Sequence, residues 1–128
     1  MEVQETDKQL VQQVCEAMQA GASGEDLMIS LFAPDGVLIE PFGGTVQTHT
    51  GHDEIRRRYK LMTEAGRPPD FRLTVDRIWM EGETLMTNWT CTSQVLPAPM
   101  KGQDEFLIQD GKIARLEINL LGGPPREQ

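Results

Sequence analysis

The stretch Leu31-Phe32-Ala33-Pro34-Asp35-Gly36-Val37-Leu38-Ile39-Glu40-Pro41-Phe42-Gly43 decides how the chain is read. Pro34-Asp35-Gly36 is a turn signal, because proline presets φ, aspartate bonds back to the backbone and glycine accepts a left-handed conformation. Val37-Leu38-Ile39-Glu40 then reads as a strand stopped by Pro41, which has no N–H to give to a ladder. Side chains alternate across a strand, so Glu40 shares a face with Leu38 while Ile39 takes the other. Two outcomes are open. If Leu38 points inward, so does Glu40, and desolvation raises its pKa toward the range useful for proton transfer unless hydrogen bonds compensate. If the last residue of the strand instead reaches solvent, Glu40 is an ordinary surface acid.

Upstream, Leu10, Val11, Val14, Cys15 and Met18 recur at spacings of three and four and predict one helix over residues 6–20, ended by Gly21-Ala22-Ser23-Gly24. A second, shorter helix follows, with Glu25 and Asp26 at its positive end and Leu27, Met28, Leu31 and Phe32 as its inner face. Downstream, Gly43-Gly44 opens a loop to a short strand at Thr45–Thr50. Asp53 and Glu54 then start a third helix carrying Ile55, Tyr59 and Met62, closed by Gly66-Arg67-Pro68-Pro69. The period then changes. Four strands are expected, at Phe71–Met80, Thr84–Leu96, Met100–Gln109 and Lys112–Leu121, the last two joined by the hairpin signal Asp110-Gly111.

Helices gathered in the first half and strands in the second predict an α+β fold, one domain over residues 1–121 in which a curved antiparallel sheet wraps three N-terminal helices. Residues 122–128, rich in Gly and Pro, are expected to form a flexible tail. The chain has 128 residues with a net charge of −8, which disfavours nucleic acid as a partner. Arg56, Arg57 and Arg58 form the one basic cluster and are expected on a solvated helix face. No apolar run is long enough to span a membrane, and the start Met1-Glu2-Val3-Gln4-Glu5 lacks the pattern of a secretory signal, so a cytoplasmic location is expected. Cys15 and Cys91 fit neither a disulfide framework nor a ligand spacing and read as reduced core thiols.

Asp104 has the same character as Glu40. In Gln103-Asp104-Glu105-Phe106-Leu107-Ile108 it shares a face with Phe106 and Ile108, so it either looks into the core or, since both faces mix polar and apolar residues, faces solvent. Two acids in one apolar interior resist double ionisation, leaving one as base and the other as a neutral donor.

These residues carry a resemblance. Leu31–Gly43, followed by Gly51-His52-Asp53-Glu54-Ile55 and later by Asp110-Gly111-Lys112-Ile113, resembles the ketosteroid isomerase and SnoaL-like cyclase branch of the NTF2-like superfamily over nearly the whole chain. The resemblance implies a cone-shaped apolar pocket, a homodimer formed through the outer face of the sheet, and no metal or organic cofactor. It implies that Glu40 is the general base, that Asp104 lies near the neutral aspartic acid of an oxyanion hole, and that Tyr59 is a supporting tyrosine. Phe32 sits where another supporting tyrosine would be, Leu38, Phe106, Leu116, Ile118 and Leu120 match the pocket lining, and Phe32 and Phe42 are further candidate contacts. Independently of the resemblance, Asn88 and Thr90 share one face of a strand, so Asn88 either faces solvent or offers a ligand a polar contact.

The sequence departs from that pattern on the first helix. Where the isomerases carry a tyrosine as main oxyanion donor, this chain has Glu16 or Val14, neither of which replaces it. Glu40 is also one methylene longer than aspartate. The functional expectation is therefore a cofactor-independent isomerase or cyclase acting on an apolar small molecule, steroid- or polyketide-like. The alternatives are an epoxide-opening enzyme on the same scaffold and a non-catalytic ligand-binding or dimerisation module.

Other features carry blander readings. His49 and His52 form an HxxH spacing without a completing ligand set, so no metal site is expected. Trp79 and Trp89 read first as packing residues and second as ligand-stacking ones, and the methionines as core.

Overall fold

Local chemistry places the elements, and the hairpins fix their order. The computed structural model describes residues 2–66 and 68–122. Helix α1 spans Glu5–Ala20 and a 3-10 turn at Gly21–Gly24 leads into α2, Glu25–Leu31. Strands β1 (Phe32–Glu40) and β2 (Gln47–Thr50) follow, then α3 at Gly51–Thr63. The rest is a meander of β3 (Arg72–Glu81), β4 (Thr84–Thr92), β5 (Met100–Gln109) and β6 (Lys112–Gly122). Two α-helices thus precede the first strand, and the third stands between β2 and β3. Glu54 starts α3 by accepting the backbone N–H of Thr50 at 2.9 Å. The tail expected beyond β6 lies outside the described residues except for Gly122, which ends the strand.

The six strands make one sheet in the order β2-β1-β6-β5-β4-β3. Asp110 and Gly111 turn β5 into β6 with φ of 53° and 76°, the two positive values that a tight two-residue hairpin needs. Three successive reversals fix the direction of β6, which therefore lies parallel to β1, whereas every other neighbouring pair is antiparallel. The sheet is mixed, which corrects the expectation of a wholly antiparallel one. β1 also starts earlier than expected. Pro34-Asp35-Gly36 does not end an element but forms an irregularity inside the strand, between the pairs Phe32↔Ile113 and Val37↔Arg115. Proline is tolerated there because a bulged residue owes the ladder no hydrogen bond. Further irregularities lie in β3 between Val75 and Arg77 and in the β5–β6 ladder, and such bulges bend and twist a sheet.

Helices and inner sheet face share one core. Leu10, Val11, Val14 and Ala17 of α1, Met28, Ile29 and Leu31 of α2 and Ile55 and Tyr59 of α3 pack on Phe32, Leu38, Leu85, Phe106, Ile113 and Leu116. Phe32 belongs to β1 and not to the inner face of α2. Among the described residues, no helix is long and apolar enough to cross a membrane.

Candidate active site

Where α1 and α3 part over β3, β4 and β5, the core gives way to a cavity of about 480 Å³. Val11, Val14, Cys15 and Met18 line it from α1, Arg58, Leu61 and Met62 from α3, and Phe42 and Gly43 from the loop after β1. The sheet contributes Leu73 and Val75, then Thr87, Trp89 and Cys91, then Met100, Asp104 and Phe106, and finally Ile118. The wall is apolar apart from a few groups, the composition of a small-molecule site.

Asp104 is the acid in that wall. It sits on β5 between its register partners Thr87 on β4 and Ile118 on β6, and it is 9 % exposed. Trp89 donates its indole N–H to Asp104 Oδ1 at 2.8 Å, the one hydrogen bond this carboxyl receives among the described residues. Gly102 makes that bond possible. Trp89 stands directly opposite Gly102, and a Cβ there would come within 2.1 Å of the indole carbon Cζ2, so only glycine lets the ring lie across β5. Burial pushes the Asp104 carboxyl up to about 7, and the Trp89 hydrogen bond offsets only part of that rise. Cys15, across the cavity on α1, is pushed up to about 11 by burial and by the negative charges of Asp104 and Glu16, so it remains a thiol.

Glu40 is wholly buried, on the inner face it shares with Leu38, but it does not line the cavity. Its Oε1 accepts the N–H of Phe42 at 2.8 Å. Its Oε2 lies 2.8 Å from His49 Nε2 and accepts Arg58 Nε at 2.8 Å, and Arg58 Nη2 is 3.4 Å from Oε1. The expected rise in its pKa is therefore corrected. Burial pushes the carboxyl up, but His49, the Phe42 N–H and Arg58 together outweigh it and hold Glu40 below the usual glutamate range. Arg58 corrects a second expectation. Three successive arginines fan around the helix axis, and among the described residues only Arg56 pairs at the surface, with Glu25 and Asp26. Arg58 is turned inward, 16 % exposed, tied to Glu40 and in the cavity wall.

The other expected residues divide in the same way. Phe42, Phe106 and Ile118 line the cavity. Phe32, Leu38 and Leu116 lie in the solid part of the core, because α2 and α3 cover the β1 side of the sheet and leave no space there. Leu120 is 39 % exposed, beyond the cover of the helices. Asn88 faces away from Thr87 and Trp89, and its Oδ1 is buried without a hydrogen-bond partner among the described residues. The Tyr59 hydroxyl lies 2.7 Å from the carbonyls of both Ala17 and Gly21, so this residue clips α3 to the end of α1 and does not reach the cavity. His52 Nε2 lies 2.9 Å from the Phe32 carbonyl, and among the described residues no group of His, Cys, Asp and Glu could hold a metal ion.

Beside this wall in the chain, Asp70 accepts the Ser93 hydroxyl at 3.1 Å and the Gln94 N–H at 2.5 Å. It thereby joins the loop before β3 to the loop before β5, whose neighbouring residues Phe71 and Met100 are both in the wall.

With this geometry, comparison with known proteins becomes informative. The SnoaL-like domain family matches residues 11–116. The chain belongs to the SnoaL-like domain family. Its fold recurs in a provisionally assigned ketosteroid isomerase from Kribbella flavida DSM 17836, at a TM-score of 0.67 and 18% identity, covering 97% of this chain and 84% of that one. It recurs in a provisionally assigned polyketide cyclase, SMa1630, from Sinorhizobium meliloti, at 0.68 and 23%, covering 91% and 100%. A provisionally assigned SnoaL-like polyketide cyclase from Jannaschia sp. CCS1 superposes at 0.73 with 13% identity, covering 94% and 91%. At these identities the likeness shows the fold, an NTF2-like α+β domain with a curved mixed sheet. Among curated proteins none matches the chain. Within this SnoaL-like frame, Arg58 and Thr87 are polar wall residues that sequence reasoning missed, and Trp89, expected to pack or to stack on a ligand, serves as a hydrogen-bond donor to Asp104. The usable signal for Arg58 was the buried acid at Glu40, which needs a cation from somewhere.

Proposed function

We propose that this SnoaL-like protein is a cofactor-independent isomerase or cyclase that moves a proton within a mostly apolar small molecule, steroid- or polyketide-like in character. Asp104 carries this reading: a carboxyl in an apolar cavity whose pKa has risen to about 7, so both protonation states are present at neutral pH. In the carboxylate form it takes a proton from a carbon beside a carbonyl, and the C–H electron pair becomes the enolate double bond. Returning the proton at another carbon completes an isomerisation. Attack of the enolate carbon on a second carbonyl of the same molecule forms a C–C bond, the carbonyl π pair moves onto its oxygen, and that alkoxide takes the proton back from Asp104 to complete a cyclisation. Trp89 fixes Oδ1, which leaves Oδ2 for the substrate.

In this reading Glu40, first expected as the base, acts by holding Arg58, and Tyr59 acts by holding α3 against α1. The working unit is proposed to be a cytoplasmic homodimer joined through the outer face of the sheet, and the native mass in solution tests the dimer. A second reading, a non-catalytic ligand-binding module, has one observation in its favour: Val11, Val14, Cys15 and Met18 present the cavity with no hydroxyl donor from α1.

The two readings separate on α-proton exchange of 2-tetralone in deuterated buffer, followed by NMR. The wild type is expected to accelerate exchange, and Asp104→Asn to lose about a hundredfold or more of that acceleration, the usual contribution of a positioned acid or base. Equal rates in the two proteins would remove Asp104 from the chemistry and leave the binding module as the better account.

A further inference from the structure

Arg58 has hydrogen-bonding capacity that the protein leaves unused. A guanidinium carries five N–H donors in a planar fork. Nε and Nη2 are turned to Glu40, and Nη1 has no partner among the described residues although the side chain is largely buried in the cavity wall. Nη1 is not sealed from solvent, so its donors are open to an acceptor that enters the cavity.

Glu40 fixes Arg58 without saturating it. Its two oxygens also serve His49 and the Phe42 N–H, so its charge is spread over three partners. Arg58 is the only lysine, arginine or histidine in the cavity wall among the described residues. Arg58 enters the wall from α3 and Asp104 from β5, so the cavity carries a cation and an acid on different elements. Around Arg58 the wall is apolar, from Phe42, Leu61 and Met62, and an oxygen bound there trades water for a charge-assisted hydrogen bond in a medium of lower dielectric.

We propose that Arg58 Nη1 is the receptor for an anionic oxygen, so that the cavity selects apolar organic anions, molecules with a carboxylate or enolate oxygen on a hydrocarbon body. This rests on the reading of the cavity as the substrate site and adds the chemical class of what enters it. It also supplies a donor for developing negative charge on a wall that has no α1 hydroxyl.

The test is calorimetric titration of the full chain at pH 6 with 2-naphthoate and with its uncharged methyl ester. The carboxylate is expected to bind about tenfold to a hundredfold tighter than the ester, the ratio that one charge-assisted contact gives. Removing Arg58 alone strands Glu40, so the variant is the double substitution Glu40→Gln with Arg58→Gln, in which amides replace the ion pair. It is expected to bind both probes alike. In the wild type, a shift of the Arg58 Nε–H NMR signal on adding 2-naphthoate checks the contact without any substitution.

Equal affinity for the two probes in the wild type, or a preference that survives in the double variant, overturns the anion site while leaving the cavity reading in place. Binding of neither probe overturns both.

Discussion

Trp89 reaches across β5, over Gly102, and hydrogen-bonds the carboxyl of Asp104, which sits two residues further along that strand. An indole N–H is a single neutral donor, and here it is set against the full desolvation of a carboxylate. Desolvation wins, and the carboxyl titrates near neutrality instead of near the aspartate value of 3.8. Three predictions test the balance of polar groups around the cavity, and a fourth tests a residue outside it.

Loss of the indole donor moves Asp104 further from its ordinary value. The hydrogen bond lowers the carboxyl's pKa, so Trp89→Phe is expected to raise it above about 7 and to shift any pH–rate profile upward with it. NMR titration of the Asp104 carboxyl carbon checks the direction. An unchanged midpoint would mean that the indole does not reach the carboxyl in solution.

The same burial makes stability fall with rising pH. The folded state holds the Asp104 proton up to about 7, whereas the unfolded chain releases it near 3.8, so between these values the folded state binds more protons and is progressively destabilised. Asp104→Asn is expected to be more stable than the wild type at pH 8, by up to about 4 kcal/mol, with the gain disappearing toward pH 4. Urea unfolding at the two pH values measures it.

Glu40 behaves with the opposite sign. Its pKa is depressed in the folded protein, so its contribution is present above the unfolded value of about 4.5 and is lost as pH falls through the lower folded value. Glu40→Gln leaves Arg58 buried opposite a neutral amide and is expected to cost about 3 kcal/mol at pH 7, the order typical of breaking a buried pair from one side. The deficit should shrink in acid, where the wild type loses the same charge. A deficit independent of pH would indicate that lost packing and not lost charge is responsible.

Tyr59→Phe removes the hydroxyl that meets the carbonyls of Ala17 and Gly21. Stability is expected to drop by about 1–2 kcal/mol, while affinity for cavity ligands stays unchanged because Tyr59 does not line the wall. A loss of affinity or turnover beyond the loss of folded protein would bring Tyr59 back into the site.

Much of the fold can be read from residue order. Asp110-Gly111 dictates a hairpin, the α1 periodicity dictates a buried stripe, and the change of period after Pro69 separates helices from meander. Alternation alone left Glu40 and Asp104 free to point either way, and both carboxyls point inward. What alternation omits is who meets them. Arg58 is eighteen residues from Glu40 in the chain, and which member of an arginine triplet turns inward depends on how α3 is rotated on β1, a tertiary fact. The opposite fates of the two acids follow from this. Glu40 lies where a cation, an imidazole and a backbone N–H converge, and Asp104 lies where only an indole is available, so strands of similar pattern yield a strong acid in one place and a weak one in the other. The parallel pairing of β1 with β6 was hidden for a related reason, since no local signal records which edge of a meander meets an earlier strand.

The Asp70 clasp has a kinetic consequence. Because a single carboxylate ties together the two loops that lead to Phe71 and Met100 in the wall, neither flank can swing away from the other without breaking the shared latch. Any guest passage that needs one flank to move relative to the other must therefore break these bonds first, so Asp70→Ala is expected to quicken such passage.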